Sequence, residues 1–196
     1  MKEQVKAVPH RVLLLGGARS GKSRLGETLA RRWGGDDVTY IATAEIGDAE
    51  MARRIELHRS QRPSAWTTWE GTAEELPQVV ASLDGVVLMD CLTVWLSRLF
   101  LADGQAEGDD EALWHESERR ILAAVEALLE GARAARAFIA VSNEVGSGLV
   151  PTYLMGRRFR DLQGRANQLA AAKAETAALV VAGLPLLLKG SLDDGR

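Results

Sequence analysis

Eight residues, Gly16-Gly17-Ala18-Arg19-Ser20-Gly21-Lys22-Ser23, constrain this chain more than any other stretch. They fit the template of a phosphate-binding loop, a glycine, four free positions, then Gly-Lys-Ser/Thr. The apolar run Arg11-Val12-Leu13-Leu14-Leu15 precedes them and reads as a short buried strand, while Ser23 to Trp33 follows with a helical pattern. A strand, a glycine turn and a helix start aim backbone N–H groups at phosphate oxygens. Gly16 and Gly21 allow backbone angles and a close approach that side chains would hinder. In this reading Lys22 reaches the β- and γ-phosphates, and the Ser23 hydroxyl ligates Mg2+. The loop predicts a bound nucleoside triphosphate and leaves the chemistry that follows open.

The rest of the chain supplies a scaffold for such a loop. Apolar runs at Val12–Leu15, Val38–Thr43, Val86–Met89, Phe138–Val141 and Leu179–Ala182 read as buried strands, separated mostly by helical patterns. That alternation predicts an α/β fold, P-loop NTPase-like, with a mostly parallel central sheet flanked by helices. Asp48 is a plausible N-cap for a helix from Ala49 to about Ser60, and Pro63 prevents easy continuation. Ser64 to Trp69 reads as extended, and Thr72 to Ser82 as a helix with Pro77 inside it. Leu92–Leu101 reads as a core helix and Asp109–Arg133 as a long amphipathic one, acidic early and basic late. Thr152–Ala178 is a helical region interrupted at Gly156 and Gly164, and Leu179–Ala182 with Leu186–Leu188 forms a final hairpin. Residues 1–11 are expected to be a loose leader, 12–189 a single domain and 190–196 a mobile tail.

Composition narrows the function classes. A net charge of −3 over 196 residues does not mark the surface as a whole for nucleic-acid binding, and no nucleic-acid partner is expected. No apolar run has the length needed to span a bilayer, and no signal-peptide core is present. One cysteine, Cys91, excludes an internal disulfide and agrees with a reducing, cytoplasmic setting.

Ligands of open parallel sheets sit beyond the C-terminal strand ends, so residues there are the next candidates. Val86-Val87-Leu88-Met89-Asp90 ends in an acid, the pattern of a carboxylate near the magnesium of a bound nucleotide. Ser142-Asn143-Glu144-Val145-Gly146-Ser147-Gly148 is either a binding loop or an ordinary β-to-α turn. His58 lies among Arg53, Arg54, Arg59 and Arg62, a cationic cluster that calls for an anionic partner. Those arginines keep the imidazole neutral, and a neutral imidazole nitrogen can attack phosphorus. The alternative is a structural histidine packed by Met51 and Ile55.

Taken as a series, the motifs resemble the bifunctional adenosylcobinamide kinase and adenosylcobinamide-phosphate guanylyltransferase family. The likeness runs from about residue 12 to 189. It rests on the loop at Gly16–Ser23, Tyr40-Ile41-Ala42-Thr43-Ala44, His58, Arg62-Pro63 with Trp66, Glu70, Asp90-Cys91-Leu92-Thr93, Asn143-Glu144-Val145-Gly146 and Arg158-Phe159-Arg160-Asp161. The resemblance implies two reactions. ATP or GTP phosphorylates the aminopropanol hydroxyl of adenosylcobinamide, and GTP then transfers GMP to that phosphate through a covalent GMP-histidine, releasing pyrophosphate. It places the histidine at His58 and the nucleotide contacts at Gly16, Gly17, Ala18, Arg19, Ser20, Gly21, Lys22 and Ser23. Further contacts fall on Ile41, Ala42, Thr43, Arg59, Ser60, Gln61, Arg62, Glu70 and Asp90. Lys22 and His58 become the expected catalytic residues, Ser23 and Asp90 the expected metal ligands, and a homotrimer the expected assembly. A monofunctional P-loop small-molecule kinase and a GTP-binding switch are the competing readings. The switch lacks an Asn-Lys-x-Asp guanine motif here, since Asn143-Glu144-Val145-Gly146 is not one.

Overall fold

The computed structural model describes residues 10–44 and 63–192. The expected helix from Ala49, with His58, Arg59, Ser60, Gln61 and Arg62, lies outside the described residues. So does Asp48.

Seven strands form one sheet. In chain order they are β1 (His10–Gly16), β2 (Val38–Ala42), β3 (Thr67–Trp69), β4 (Val86–Asp90), β5 (Ala137–Asn143), β6 (Thr176–Val181) and β7 (Leu184–Lys189). The spatial order is β3-β2-β4-β5-β1-β6-β7, parallel throughout except for β7. The described helices are α1 (Lys22–Gly34), α2 (Leu76–Ala81), α3 (Leu92–Ala102), α4 (Glu111–Gly131) and α5 (Leu154–Lys173). This is the expected α/β architecture, with the phosphate loop joining β1 to α1.

Period-2 alternation divides the core between the two sheet faces. Leu13, Ile41, Val87, Met89, Phe138 and Ala140 pack with residues of α2 to α5. Val12, Leu14, Tyr40, Val86, Leu88, Ile139 and Val141 pack with Leu29 and Ala30 of α1. A Cβ at Gly26 would meet Leu88 Cδ1 at 3.0 Å, so this glycine lets α1 lie close on the sheet. That contact fixes where the N-terminus of α1, and with it Lys22, stands relative to the strand ends.

Several boundaries differ from expectation. His10 and Arg11 already belong to β1, where Glu175 holds Arg11 through side-chain and backbone hydrogen bonds. The helix expected to reach Ala178 stops at Lys173, and Thr176 to Ala178 belong to β6. Helical spacing of small apolar residues continues into that strand, but its place beside β1 decides the matter. Gly156 and Gly164 sit inside an unbroken α5. Pro77 is compatible with α2 because it stands in the first turn, where an N–H has no intrahelical partner. The last turn of α4 holds no basic residue, so the expected charge gradient is confined to its acidic start. Past β7, Ser191 exchanges hydrogen bonds with Thr176 and Leu192 packs against the core, so the first part of the expected tail is held in place.

Arg158 shows how a charge on a helix can be structural. Its side chain is only 4% exposed and pairs with Glu111 at 2.9 Å. It donates to the carbonyls of Gln105 at 3.0 Å and Gly108 at 2.7 Å, and lies 4.9 Å from the Trp114 ring centroid. The acidic connector before α4 is therefore pinned to α5 rather than loosely appended.

Candidate active site

The loop closes on itself and on two neighbouring strands. Ser20 N–H donates to Gly17 O at 3.3 Å, and Glu144 N–H, just past β5, donates to Gly16 O at 3.1 Å. The β6–β7 turn contributes Gly183 N–H, which donates to Ser20 O at 2.8 Å. Gly21 adopts φ 97° and ψ 1°, left-handed angles that a side chain disfavours, and turns the chain into α1. Lys22 Nζ folds back over the loop and donates to Gly17 O at 2.8 Å. The Ser20 hydroxyl is buried with no hydrogen-bond partner among the described residues, a group that a bound phosphate oxygen can satisfy.

Burial pulls the Lys22 ammonium below its ordinary value, and the neighbouring Cys91 and Asp90 partly oppose that pull. A phosphate arriving at the loop would favour the charged form further.

Alternation sets the other polar groups on the α1 face. Tyr40, Asp90 and Asn143 follow the parity of Leu88, Ile139 and Val141, whose side chains pack toward α1. The register places Ala42 beside Asp90, Asp90 beside Val141, and Asn143 beside Gly16. Tyr40 donates its hydroxyl proton to Asp90 Oδ2 at 3.0 Å, orienting the carboxylate. Asn143 Nδ2 donates a long 4.0 Å contact to Cys91 Sγ. Burial, reinforced by the Asp90 charge, pushes the Cys91 thiol up to about 11, so it is neutral and unreactive near pH 7.

Behind these side chains the strand ends are held by buried hydrogen bonds. Thr43 Oγ1 accepts from Cys91 N–H at 2.7 Å and donates to Cys91 O at 2.9 Å, tying the end of β2 to that of β4. Arg98 of α3 donates to Thr43 O at 3.5 Å and Gly71 O at 3.0 Å, linking the chain just beyond β2 and β3. On the opposite sheet face, Ser142 donates to Asn167 Oδ1 at 2.6 Å and accepts from Gln163 Nε2 at 3.1 Å.

The structure thus gathers Gly16 to Ser23, Ala42, Thr43 and Asp90 at one end of the sheet. Two expectations change. The Ile41 side chain is fully buried in the core, and Thr43 uses its hydroxyl on Cys91 and its backbone N–H and carbonyl on Asp90 and Arg98, so neither side chain is free to face a nucleotide. Glu70 is exposed just past β3, two strands from Asp90. Sequence reading passed over Tyr40, Thr93 and Arg98 as site residues. Parity on β2 could have found Tyr40, but the carbonyl contacts of Arg98 leave no pattern in the sequence.

No group of three or more His, Cys, Asp or Glu side chains fit to hold a metal occurs among the described residues. Ser23 and Asp90 offer one hydroxyl and one carboxylate, hard oxygen donors. That donor set fits Mg2+ held mainly by phosphate oxygens and water. Among the described residues no helix is long and apolar enough to cross a membrane.

The pattern of the family described as cobinamide kinase / cobinamide phosphate guanyltransferase matches residues 12–188. The bifunctional adenosylcobalamin biosynthesis protein CobP of Pseudomonas aeruginosa is 44% identical over 184 residues, covering 92% of this chain and 98% of that protein. The bifunctional adenosylcobalamin biosynthesis protein CobU of Escherichia coli is 40% identical over 184 residues, covering 91% and 99%. Among solved structures, the flagellar accessory protein FlaH of Methanocaldococcus jannaschii aligns at 15% identity with a TM-score of 0.44, covering 96% of this chain and 83% of that one.

Proposed function

The chain belongs to the cobinamide kinase / cobinamide phosphate guanyltransferase family, and from that premise we propose that it carries out both reactions at the single site built around the Gly16–Ser23 loop. The observation that carries this reading is the convergence of Lys22, Asp90 and Tyr40 at the loop end of the sheet. Residues 12–189 serve as one catalytic domain.

In the kinase reaction ATP or GTP lies with its β- and γ-phosphates on the loop. The aminopropanol hydroxyl oxygen of adenosylcobinamide attacks the γ-phosphorus. The bond from that phosphorus to the β-bridging oxygen breaks, and the nucleoside diphosphate leaves. Lys22 exchanges its Gly17 carbonyl for phosphate oxygens. The hydroxyl proton passes to a carboxylate, for which Asp90 and Glu70 are the candidates.

In the transferase reaction a neutral His58 nitrogen attacks the α-phosphorus of GTP. A P–N bond forms, the bond to the β-bridging oxygen breaks, and pyrophosphate leaves against Lys22, Arg59 and Arg62. A phosphate oxygen of adenosylcobinamide phosphate then attacks the same phosphorus, breaking the P–N bond to give adenosylcobinamide-GDP. Ile41, Ala42 and Thr43 at the end of β2, with Ser60, Gln61 and Glu70, complete the GTP site. Ser23 and Asp90 would hold Mg2+, which when bound supplies positive charge to the phosphates. A cytoplasmic homotrimer is the proposed setting.

Incubation with GTP labelled at the α-phosphate tests the covalent step. The expected result is an acid-labile, base-stable label on the protein that His58→Ala abolishes, together with loss of guanylyl transfer but not of phosphorylation. An unlabelled protein whose His58→Ala variant still makes adenosylcobinamide-GDP would sink the covalent mechanism. A protein that phosphorylates but never transfers GMP would be the monofunctional kinase.

A further inference from the structure

The sheet order leaves one polar residue without a role. β5 lies between β1, which carries the phosphate loop, and β4, which ends in Asp90. A group that reaches from Lys22 on the loop to Asp90 therefore passes over the end of β5. Asn143 is the last residue of that strand. It is level with Gly16 in the register and two residues beyond Val141, which is level with Asp90. Its parity turns the side chain to the α1 face, the face of Lys22 and Asp90.

Its backbone is held on both sides. Asn143 N–H donates to Thr93 Oγ1 at 2.7 Å, and Asn143 O accepts from Asn167 Nδ2 at 3.1 Å. Asn167 is itself only 6% exposed and takes a hydrogen bond from Gln163 Nε2 at 2.9 Å. A clamp of buried polar groups from α3 and α5 on one peptide is more than packing requires, and it fixes the direction of one carboxamide. That carboxamide is poorly used as it stands. Its donor rests on a cysteine sulfur at 4.0 Å, a weak acceptor. An anionic phosphoryl oxygen would be a much stronger one.

We propose that Asn143 donates a hydrogen bond from Nδ2 to the terminal phosphoryl group of the bound nucleoside triphosphate, with Thr93 and Asn167 as the residues that position it. The inference rests on the phosphate-loop reading given under Proposed function. Asn143 thereby distinguishes triphosphate from diphosphate and steadies the phosphoryl group that is transferred.

The test is the ratio of dissociation constants for GDP and for the β,γ-imido analogue of GTP, measured by calorimetry on the whole chain. Asn143→Ala and the near-isosteric Asn143→Asp are compared with the parent, and thermal melting checks that each is folded. A hydrogen bond to a charged group predicts that both variants lose about 10-fold or more of the triphosphate preference, with GDP affinity unchanged within about 3-fold. Kinase kcat should fall while KM for the corrinoid holds. Thr93→Val should give a smaller loss in the same direction. Variants that keep the parental ratio overturn the inference, as do variants that lose both nucleotides equally, which would mark Asn143 as a prop for the loop. A parent protein that binds neither nucleotide removes the phosphate-loop reading itself and the inference with it. Should Asn143→Ala fail to fold, Asn143→Asp decides.

Discussion

Alanine at Gly21 offers the sharpest test of how the loop is held, because Gly17, four residues away, provides a control within the same motif. Gly21 has φ 97°, and an alanine forced into left-handed angles costs about 1–2 kcal/mol. Its Cβ would stand 2.9 Å from Gly183 Cα, a backbone atom that a rotamer change cannot move aside. Pushing the β6–β7 turn away would also strain the Gly183 N–H to Ser20 O bond of 2.8 Å, and overpacking of this kind costs roughly 1–3 kcal/mol. The sum is about 2–5 kcal/mol. At about 2–4 °C per kcal/mol for a chain of this size, Gly21→Ala should lower Tm by roughly 10 °C. A Cβ at Gly17 meets nothing within 4 Å, so Gly17→Ala should change stability by less than about 1 kcal/mol. Thermal melting by circular dichroism measures both, and GTP titration should show Gly21→Ala binding more weakly. A Gly21→Ala protein within about 1 kcal/mol of the parent would refute the idea that the β6–β7 turn braces the loop.

Two further substitutions probe the scaffold away from the loop. Arg158→Ala removes the guanidinium from the Gln105 and Gly108 carbonyls and from Trp114, but leaves Glu111 free to meet solvent because it is 65% exposed. The expected loss is about 2–4 kcal/mol by denaturant melting, with both activities kept at temperatures where the variant is folded; an unchanged midpoint would mean that water replaces the arginine. Burial pushes the Glu175 carboxyl up, but hydrogen bonds from Arg11 outweigh this and hold it below its ordinary 4.5. A depressed carboxylate contributes stability above its unfolded value and loses it as pH falls through the folded one. Glu175→Gln should therefore be less stable than the parent near pH 7, by on the order of 1 kcal/mol after discounting for the solvent at this partly exposed pair. The two stability curves should converge well below pH 4.5, and a gap that widens on acidification would contradict the sign.

How much of this could be read from sequence follows from how local each signal is. The loop, β1 and α1 were legible because the glycine spacing, the apolar run and the helix follow one another without a gap. Asp90 was legible because a strand ending in an acid is a local pattern. The end of α5 was not, since Leu169, Ala170, Ala171 and Ala177 keep an apolar spacing that suits helix or strand, and the neighbour β1 decides. Arg158 and Arg165 look alike in the sequence as charges on a helix. In the fold one is buried on backbone carbonyls and the other reaches Glu118 from an exposed position. Asn143 stands in a stretch that reads from sequence as either a binding loop or an ordinary turn, and only the sheet order sets it between the phosphate loop and Asp90. Its strand lies between β1 and β4 in space but follows both in the chain.

A single loop can serve two reactions because both break a bond to an oxygen of the β-phosphate. In phosphorylation the γ-phosphorus parts from it and the diphosphate leaves, while in guanylyl transfer the α-phosphorus parts from it and pyrophosphate leaves. Negative charge grows on the same phosphate each time, and that phosphate is the one the loop N–H groups and Lys22 enclose on the proposed reading. On that reading the attacking group changes ends, from the corrinoid hydroxyl to His58, but the cradle need not move. Lys22→Ala should then lower kcat for both reactions by comparable factors, about 100-fold or more, since one donor to developing charge is worth that much elsewhere. His58→Ala should separate them, sparing phosphorylation. Parallel assays of nucleoside diphosphate and pyrophosphate release measure the two losses side by side. A Lys22→Ala protein that retains one reaction at nearly the parental rate would mean that the two cleavages use different anchors.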